Sequence, residues 1–311
     1  MLDVKRKLEE MNRNDLNKIF NENHIPFILI APDRGFQLFH QDLLVEYNDS
    51  EYLPPQRLID ETKIRIERLI EHSKKEGFTF FDDMLARVDD VTIQSNKLLL
   101  KFSKASYFHF AALNKGLDSP LFNTSEDTST LREFLNENPY DLHTSMLPNP
   151  LGVVASVVLE PENKIVLTIH SNRNFEGSGM TAAAIAGSLS IKQGDVNFAG
   201  LPDPFNTSIR EANEEIGLDI SMSDIKFFGF GRDLLTLKPE LLGKISLDLK
   251  EKEFVQMQKH EAKDEWETER WLFIERNELP KFLDMRNWSP PAWASTYLSL
   301  IDIKRDHQYA E

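Results

Sequence analysis

The chain contains no cysteine, so disulfide bonds and thiolate metal sites are both excluded. It has no run near the roughly 18 apolar residues that a membrane-spanning helix needs, and its first residues lack the apolar stretch of a secretory signal. Basic residues are fewer than acidic residues: 36 Lys and Arg against 51 Asp and Glu give a net charge of −15. That balance disfavours non-specific nucleic-acid binding. We therefore expect a cytoplasmic protein without a membrane or nucleic-acid partner.

The 311 residues have room for about two domains, and a hydrophobic content of 41% is ordinary for a globular protein. The clearest boundary is the segment Leu147-Pro148-Asn149-Pro150, in which two prolines disfavour a continuous helix or strand. Residues 1–147 alternate between helical and strand patterns. We predict a smaller mixed α/β domain over residues 1–147, a second domain over residues 148–311, and an α+β fold class for the whole chain.

The second domain opens with a strand hairpin. Residues 151–159 form a nearly continuous apolar run of strand length, and residues 164–170 supply its partner after a turn containing Pro161. Residues 203–220 then have the pattern of an amphipathic helix. Asp203 can cap the start of this helix, Pro204 suits its first position, and Gly217 suits the left-handed residue that follows its end.

Three carboxylates fall on one face of this helix, because Glu211, Glu214 and Glu215 stand at positions i, i+3 and i+4. Each pair repels by a few tenths of a kcal/mol even when exposed. A sequence tolerates that repulsion either because water solvates the face or because a cation neutralises it. A bare cluster in so acidic a chain is ordinarily a solvated face.

The sequence of residues 210–218 is a more specific signal of function than a cluster of glutamates alone. These residues read Arg-Glu-Ala-Asn-Glu-Glu-Ile-Gly-Leu and match, position for position, the second half of the Nudix box. The segment thus resembles the Nudix hydrolases, which implies an α/β/α sandwich and hydrolysis of a nucleoside diphosphate linked to another moiety. The resemblance makes Glu211, Glu214 and Glu215 ligands of Mg²⁺ or Mn²⁺, with Glu211 also helping to activate water. Arg210 would pair with Glu214 at i+4 and orient it.

The first half of the box departs from the family pattern. Pro202 stands where the family has a glutamate, and Val196 stands where it has a glycine. The segment from Ala186 to Asp195 resembles the missing loop displaced upstream, so that Gly187 would offer a carbonyl to the metal and Asp195 would replace the glutamate. Residues 196–202 would then be an insertion. The alternatives are that Asp203 takes this role, or that no residue does.

A late acidic residue often joins the metal site in Nudix hydrolases. The stretch from residue 259 to residue 269 offers four candidates: Glu261, Glu265, Glu267 and Glu269. We select Glu265 as a catalytic candidate, while a solvated charged loop remains the other interpretation of this stretch.

Two functions follow from the resemblance. The first is a metal-dependent hydrolase acting on a small nucleotide diphosphate. The second is a degenerate Nudix domain that binds a nucleotide as a sensor, which the substitution at Pro202 favours and the intact glutamate set opposes. Members of the family often dimerise, so a homodimer is a further expectation. The N-terminal domain could cover the active site, recognise the non-nucleotide moiety or form a dimer contact.

Overall fold

The computed structural model describes residues 11–32, 38–77, 80–94, 97–121, 129–171, 179–192, 194–261, 268–285 and 287–306. The strands are β1 Phe27–Ala31, β2 Leu43–Glu51, β3 Met84–Gln94, β4 Lys97–Ser106, β5 Gly152–Leu159, β6 Lys164–His170, β7 Thr181–Ala183, β8 Ile185–Ser188, β9 Ile225–Asp233, β10 Pro239–Leu247 and β11 Thr268–Glu275. The helices are α1 Arg13–Glu22, α2 Ile59–Glu76, α3 Tyr107–Leu113, α4 Leu131–Leu135, α5 Pro204–Ile216, α6 Glu251–Glu261, α7 Leu279–Met285 and α8 Pro290–Asp306. No helix within these ranges is long and apolar enough to cross a membrane.

The strands form two sheets, and the predicted α+β class is confirmed. The larger sheet has the order β1-β9-β10-β5-β6-β11, with β8 added to β5 and β7 added to β6. Strands β5 and β10 run parallel, and the other pairings in this sheet are antiparallel. The smaller sheet has the order β2-β4-β3 and belongs to the N-terminal half.

The hairpin of β5 and β6 separates after its first three residue pairs, which join residues 157–159 to residues 164–166. Beyond that point β8 pairs with β5, and β7 pairs with β6. All eight residues of β5 are buried, as expected for a central strand in a continuous apolar run. The divergence places β8, including Gly187, beside the helix that follows it in the chain, and the two elements are in close contact.

Helices cover both faces of the larger sheet. On one face, Phe205, Ala212 and Ile216 of α5 are buried in a core that also includes Phe254 of α6. On the opposite face, α1, α7 and α8 pack around Trp293. The two helical layers enclose the sheet, which is the α/β/α arrangement expected from the resemblance.

The N-terminal half is joined to this sandwich at two places. Strand β1 pairs with β9 and forms an edge of the larger sheet, while α1 shares the core of α8. The smaller sheet packs through Val88, Leu100 and Phe102 into the same core as α5. Helices α2, α3 and α4 share a separate small core with Ala105 at the end of β4. Residues on both sides of position 147 therefore contribute to one continuous core.

Candidate active site

Helix α5 is fixed by its ends and by its buried face. The Asp203 carboxylate accepts a hydrogen bond from the Phe205 amide at 3.0 Å, which satisfies one of the free amides at the helix start. Gly217 follows the helix with φ 69°, in the left-handed region that glycine adopts without steric cost. Since Ala212 and Ile216 face the core, the glutamates of α5 lie on a different side of the helix.

Arg210 is the centre of the polar cluster. Its Nε and Nη2 donate to the two oxygens of Asp195 at 2.6 and 3.0 Å. Its Nη1 donates to Glu214 Oε2 at 2.7 Å, and its Nη2 lies 2.9 Å from Glu211 Oε1. The contact with Glu214 is the one that the i+4 spacing predicts. One guanidinium therefore contacts three carboxylates and fixes their relative positions.

Asp195 is engaged through both of its oxygens. Oδ1 accepts from Arg210, and Oδ2 accepts from Arg210 and from the Ser190 amide at 2.8 Å. The side chain is only 1% exposed. These contacts give Asp195 a role in orienting Arg210. Its role as a metal ligand stays a prediction.

Gly187 and Ala186 bring β8 against the glutamates. A Cβ built on Gly187 would lie 2.6 Å from Glu211 Cγ and closer still to its carboxyl group. Glu215 Oε2 accepts a hydrogen bond from the Ala186 amide at 3.2 Å. The missing side chain at position 187 thus makes room for Glu211, and both glutamates face β8.

The charges in the cluster are unbalanced. Burial raises the pKa of the Glu211 carboxyl to about 8, and the neighbouring Glu214 adds to this effect, although the Arg210 guanidinium opposes it. The pKa of Arg210 is raised, because the hydrogen bonds to Asp195 and the charge of Glu211 outweigh the lowering effect of burial. The Arg210 guanidinium contacts three carboxyl groups, those of Asp195, Glu211 and Glu214. One positive charge cannot balance all three when they are ionised, so an additional cation would relieve the excess negative charge.

The donor set fits a hard divalent cation in its chemistry, since carboxylate and carbonyl oxygens are the ligands that Mg²⁺ and Mn²⁺ prefer. Within the described ranges, however, no group of three or more His, Asp or Glu side chains is arranged so that it could hold a metal ion. Arg210 occupies part of the space between these carboxylates through its contacts with Glu211 and Glu214.

The late acidic candidates remain a prediction. Glu265 and Glu267 lie outside the described residues, and so does the side chain of Glu261. Glu269 is exposed on β11. Residues 196–202, which the sequence predicts as an insertion, are closed by a bridge between Val196 and Pro202.

Sequence reasoning missed one residue that contacts this cluster, Ser190, and one that contacts the start of α5, His40. Ser190 holds Asp195 through its backbone amide. His40 lies with its Nε2 3.0 Å from Asp203 Oδ2, at the start of α5. A backbone amide has no signature in the sequence, and the His40 contact joins positions 163 residues apart. Neither had a local signal.

A cavity of about 340 Å³ lies elsewhere, in the N-terminal half. Its lining includes Tyr52, Arg87, Asp89 and Ser103. None of the glutamates of α5 lines it, so this cavity is separate from the polar cluster around Arg210.

No protein-family model matches the chain, and no curated protein matches it. Solved structures do match. The similarity is to Nudix hydrolases. A Nudix-family hydrolase from Clostridium perfringens is 12% identical, with 51% of this chain and 99% of that chain covered at a TM-score of 0.32. An Ap4A hydrolase from C. elegans is 14% identical, with coverages of 52% and 99% and a TM-score of 0.28.

A bifunctional NMN adenylyltransferase/ADP ribose pyrophosphatase from Francisella tularensis, solved with AMP and a manganese ion, is 15% identical. The match covers 67% of this chain and 64% of that chain at a TM-score of 0.34. At such identities the similarity concerns the fold alone. The matches to the Clostridium perfringens and C. elegans structures each cover about half of the present chain.

Proposed function

We propose that the chain is a Nudix-type hydrolase that uses Mg²⁺ or Mn²⁺ to cleave the diphosphate bond of a nucleoside diphosphate linked to another moiety. The observation that carries the proposal is the contact of Arg210 with three carboxylates, on a helix whose sequence matches the second half of the Nudix box. Glu211, Glu214 and Glu215 would hold the metal, with the backbone carbonyl of Gly187 as a further donor.

A bound divalent ion would supply positive charge for the diphosphate oxygens and lower the pKa of a water molecule. The chain's own residues would have separate tasks. Arg210 keeps Glu211 and Glu214 at a fixed separation, and Asp195 holds Arg210 in turn. We propose that Glu211, whose side chain is less exposed than that of Glu214, also accepts a proton from the attacking water. Glu265 stays a candidate for that task.

The sensor is the second candidate function. It is favoured by Pro202 at a position where the family has a metal-binding glutamate and by the absence of a ready metal-holding group in the described residues. Such a module would bind the nucleotide without turnover.

One assay separates the two functions. The protein is incubated with Mg²⁺ and a panel that includes ADP-ribose, Ap4A and NADH, alongside the variant Glu214→Gln/Glu215→Gln. We expect hydrolysis of at least one compound by the wild type and a loss of about 100-fold or more in the variant, because two charges that hold the metal are removed. The variant Glu275→Gln/Glu278→Gln, which neutralises two exposed glutamates away from α5, is the matched control. Binding of a panel compound without hydrolysis would support the sensor and refute the enzyme.

A further inference from the structure

Strand β3 of the N-terminal half is paired with the loop that carries Asp195. The Ala86 amide donates to the Leu189 carbonyl at 2.8 Å, and the Ile191 amide donates to the Met84 carbonyl at 3.2 Å. Leu85 and Ser190 form the antiparallel bridge between these two bonds. The loop over residues 189–191 is therefore an added strand on the edge of the smaller sheet.

The same loop is also fixed from the side of the sandwich. The Leu189 amide donates to the Leu151 carbonyl at 2.9 Å, and the Leu151 amide donates to the Ala86 carbonyl at 2.9 Å. Leu189, Ala86 and Leu151 are fully buried, so these bonds are shielded from water. Residues 189–191 consequently join the smaller sheet to the start of β5.

Two side-chain contacts extend the pairing toward Asp195. Ser190 Oγ donates to the Met84 carbonyl at 3.4 Å and accepts from the Lys192 amide at 3.1 Å. The Lys192 ammonium lies 2.8 Å from Oδ1 of Asp83, the residue immediately before β3. Lys192 also accepts from the Asp195 amide through its carbonyl, at 3.0 Å.

Three successive contacts connect Ser190 to the candidate catalytic residues. The Ser190 amide holds Asp195, both oxygens of Asp195 hold Arg210, and Arg210 holds Glu211 and Glu214. Every step is a hydrogen bond or ion pair of 3.0 Å or less. An orienting group of this kind matters because a displacement of about 1 Å can cost about 100-fold in rate.

We infer that β3 of the N-terminal half is part of the active site. Ser190 is a positioning residue: β3 fixes its place, its amide holds Asp195, and Asp195 holds Arg210. The inference rests on the proposed hydrolase function for its kinetic readout. It also assigns a role to the N-terminal half, which the sequence left open. Strand β3 fixes residues 189–191, in the segment that stands in for the first part of the Nudix box.

The test uses the full chain and the double variant Ser190→Ala/Lys192→Ala, which removes the side-chain contacts to β3 and leaves Asp195 in place. Its matched control is Ser73→Ala/Lys104→Ala, which removes a serine bonded to its own helix and a lysine paired with Asp49, both in the N-terminal half. Hydrogen exchange at residues 189–195 reports whether the loop is loosened. We expect faster exchange there and a fall of about tenfold in kcat, with little change in KM, in the double variant only.

A double-mutant cycle distinguishes positioning from general destabilisation. In an Asp195→Ala background the substitutions at Ser190 and Lys192 should cause no further fall in kcat, because the connection to Arg210 is already broken. A simple loss of stability would lower activity equally in both backgrounds and overturn the inference. So would an unchanged kcat in a variant whose loop exchanges faster.

Ile191→Pro is the stronger second variant, to be used where the double variant leaves exchange unchanged. It removes the amide that donates to the Met84 carbonyl, and the extended pairing of Ser190 with Leu85 is compatible with a following proline. Unchanged exchange in this variant as well would overturn the inference. If the wild type hydrolyses nothing, the proposed function fails, and the inference is tested instead by the affinity of the protein for Mn²⁺. About tenfold weaker Mn²⁺ binding in the variant with the loosened loop would support the inference. Equal binding would overturn it.

Discussion

Replacing Gly187 by alanine tests whether β8 sets the position of Glu211. The added Cβ would lie 2.6 Å from Glu211 Cγ and closer to its carboxyl group, whereas carbon atoms at rest are about 3.5–4.0 Å apart. The glutamate must therefore move by at least about 1 Å. Because the obstructing atoms belong to a flexible side chain and not to backbone, we expect the fold to survive at a cost of about 1–3 kcal/mol. The Glu211–Arg210 contact of 2.9 Å would be broken.

The expected result is a fall in kcat of about 100-fold for Gly187→Ala, measured with Mg²⁺ on whichever panel compound the wild type hydrolyses. Urea denaturation monitored by circular dichroism measures the accompanying change in the free energy of unfolding. Gly194→Ala is the matched control, since its Cβ would meet only Arg210 Cδ at an ordinary 3.5 Å. Activity within about twofold of wild type in a folded Gly187→Ala protein would refute the placement of Glu211 at the reaction centre.

Three further predictions concern charge. Arg210→Lys should lower kcat by at least about tenfold without unfolding the chain, since one ammonium cannot reproduce the planar contacts to several carboxylates; steady-state kinetics would show this, and a wild-type kcat would contradict it. Asp302→Asn should destabilise the chain by about 3–5 kcal/mol in urea titrations, because two lysines, Lys226 and Lys244, lie within 3.0 Å of this buried carboxylate. Burial lowers the pKa of His109, so the folded chain binds its proton less readily than the unfolded chain does. Stability should therefore fall as the pH drops through the unfolded value of about 6.5, and His109→Gln should flatten that dependence in unfolding measurements from pH 7 to pH 5.

The sequence predicted those elements whose defining residues all lie within or beside the element. Helix α5 begins after Asp203 and ends before Gly217, as their capping chemistry indicates. Strand β5 was evident because all of its residues are buried, which leaves an uninterrupted apolar run. In both cases the residues that set the element lie within it or next to it.

The elements that the sequence did not reveal depend on distant contacts. Strands β7 and β8 are three and four residues long and consist mainly of alanine and other small residues, so they show no alternation. Helix α6 buries Phe254 and the polar Gln258, and Val255 is only partly buried, so its apolar residues form no helical stripe. The pairing of β1 with β9 joins Phe27 to Asp233, and no local pattern encodes such a partner.

The same distinction explains why half of the candidate site was predictable. The glutamates of α5 are spaced by one helix and could be placed together from the sequence alone. Asp195 follows residues 189–191, which are held between β3 and the start of β5 by bonds between backbone amides and carbonyls, and such bonds have no signature in the sequence. The loop that ends at Asp195 lacks the glycine and glutamate spacing of the Nudix box, yet its Asp195 carboxylate contacts Arg210. If the proposed hydrolase function is correct, the contact between β3 and residues 189–191 should compensate for the altered first half of the box, and the variants at Ser190 and Ile191 test that contact.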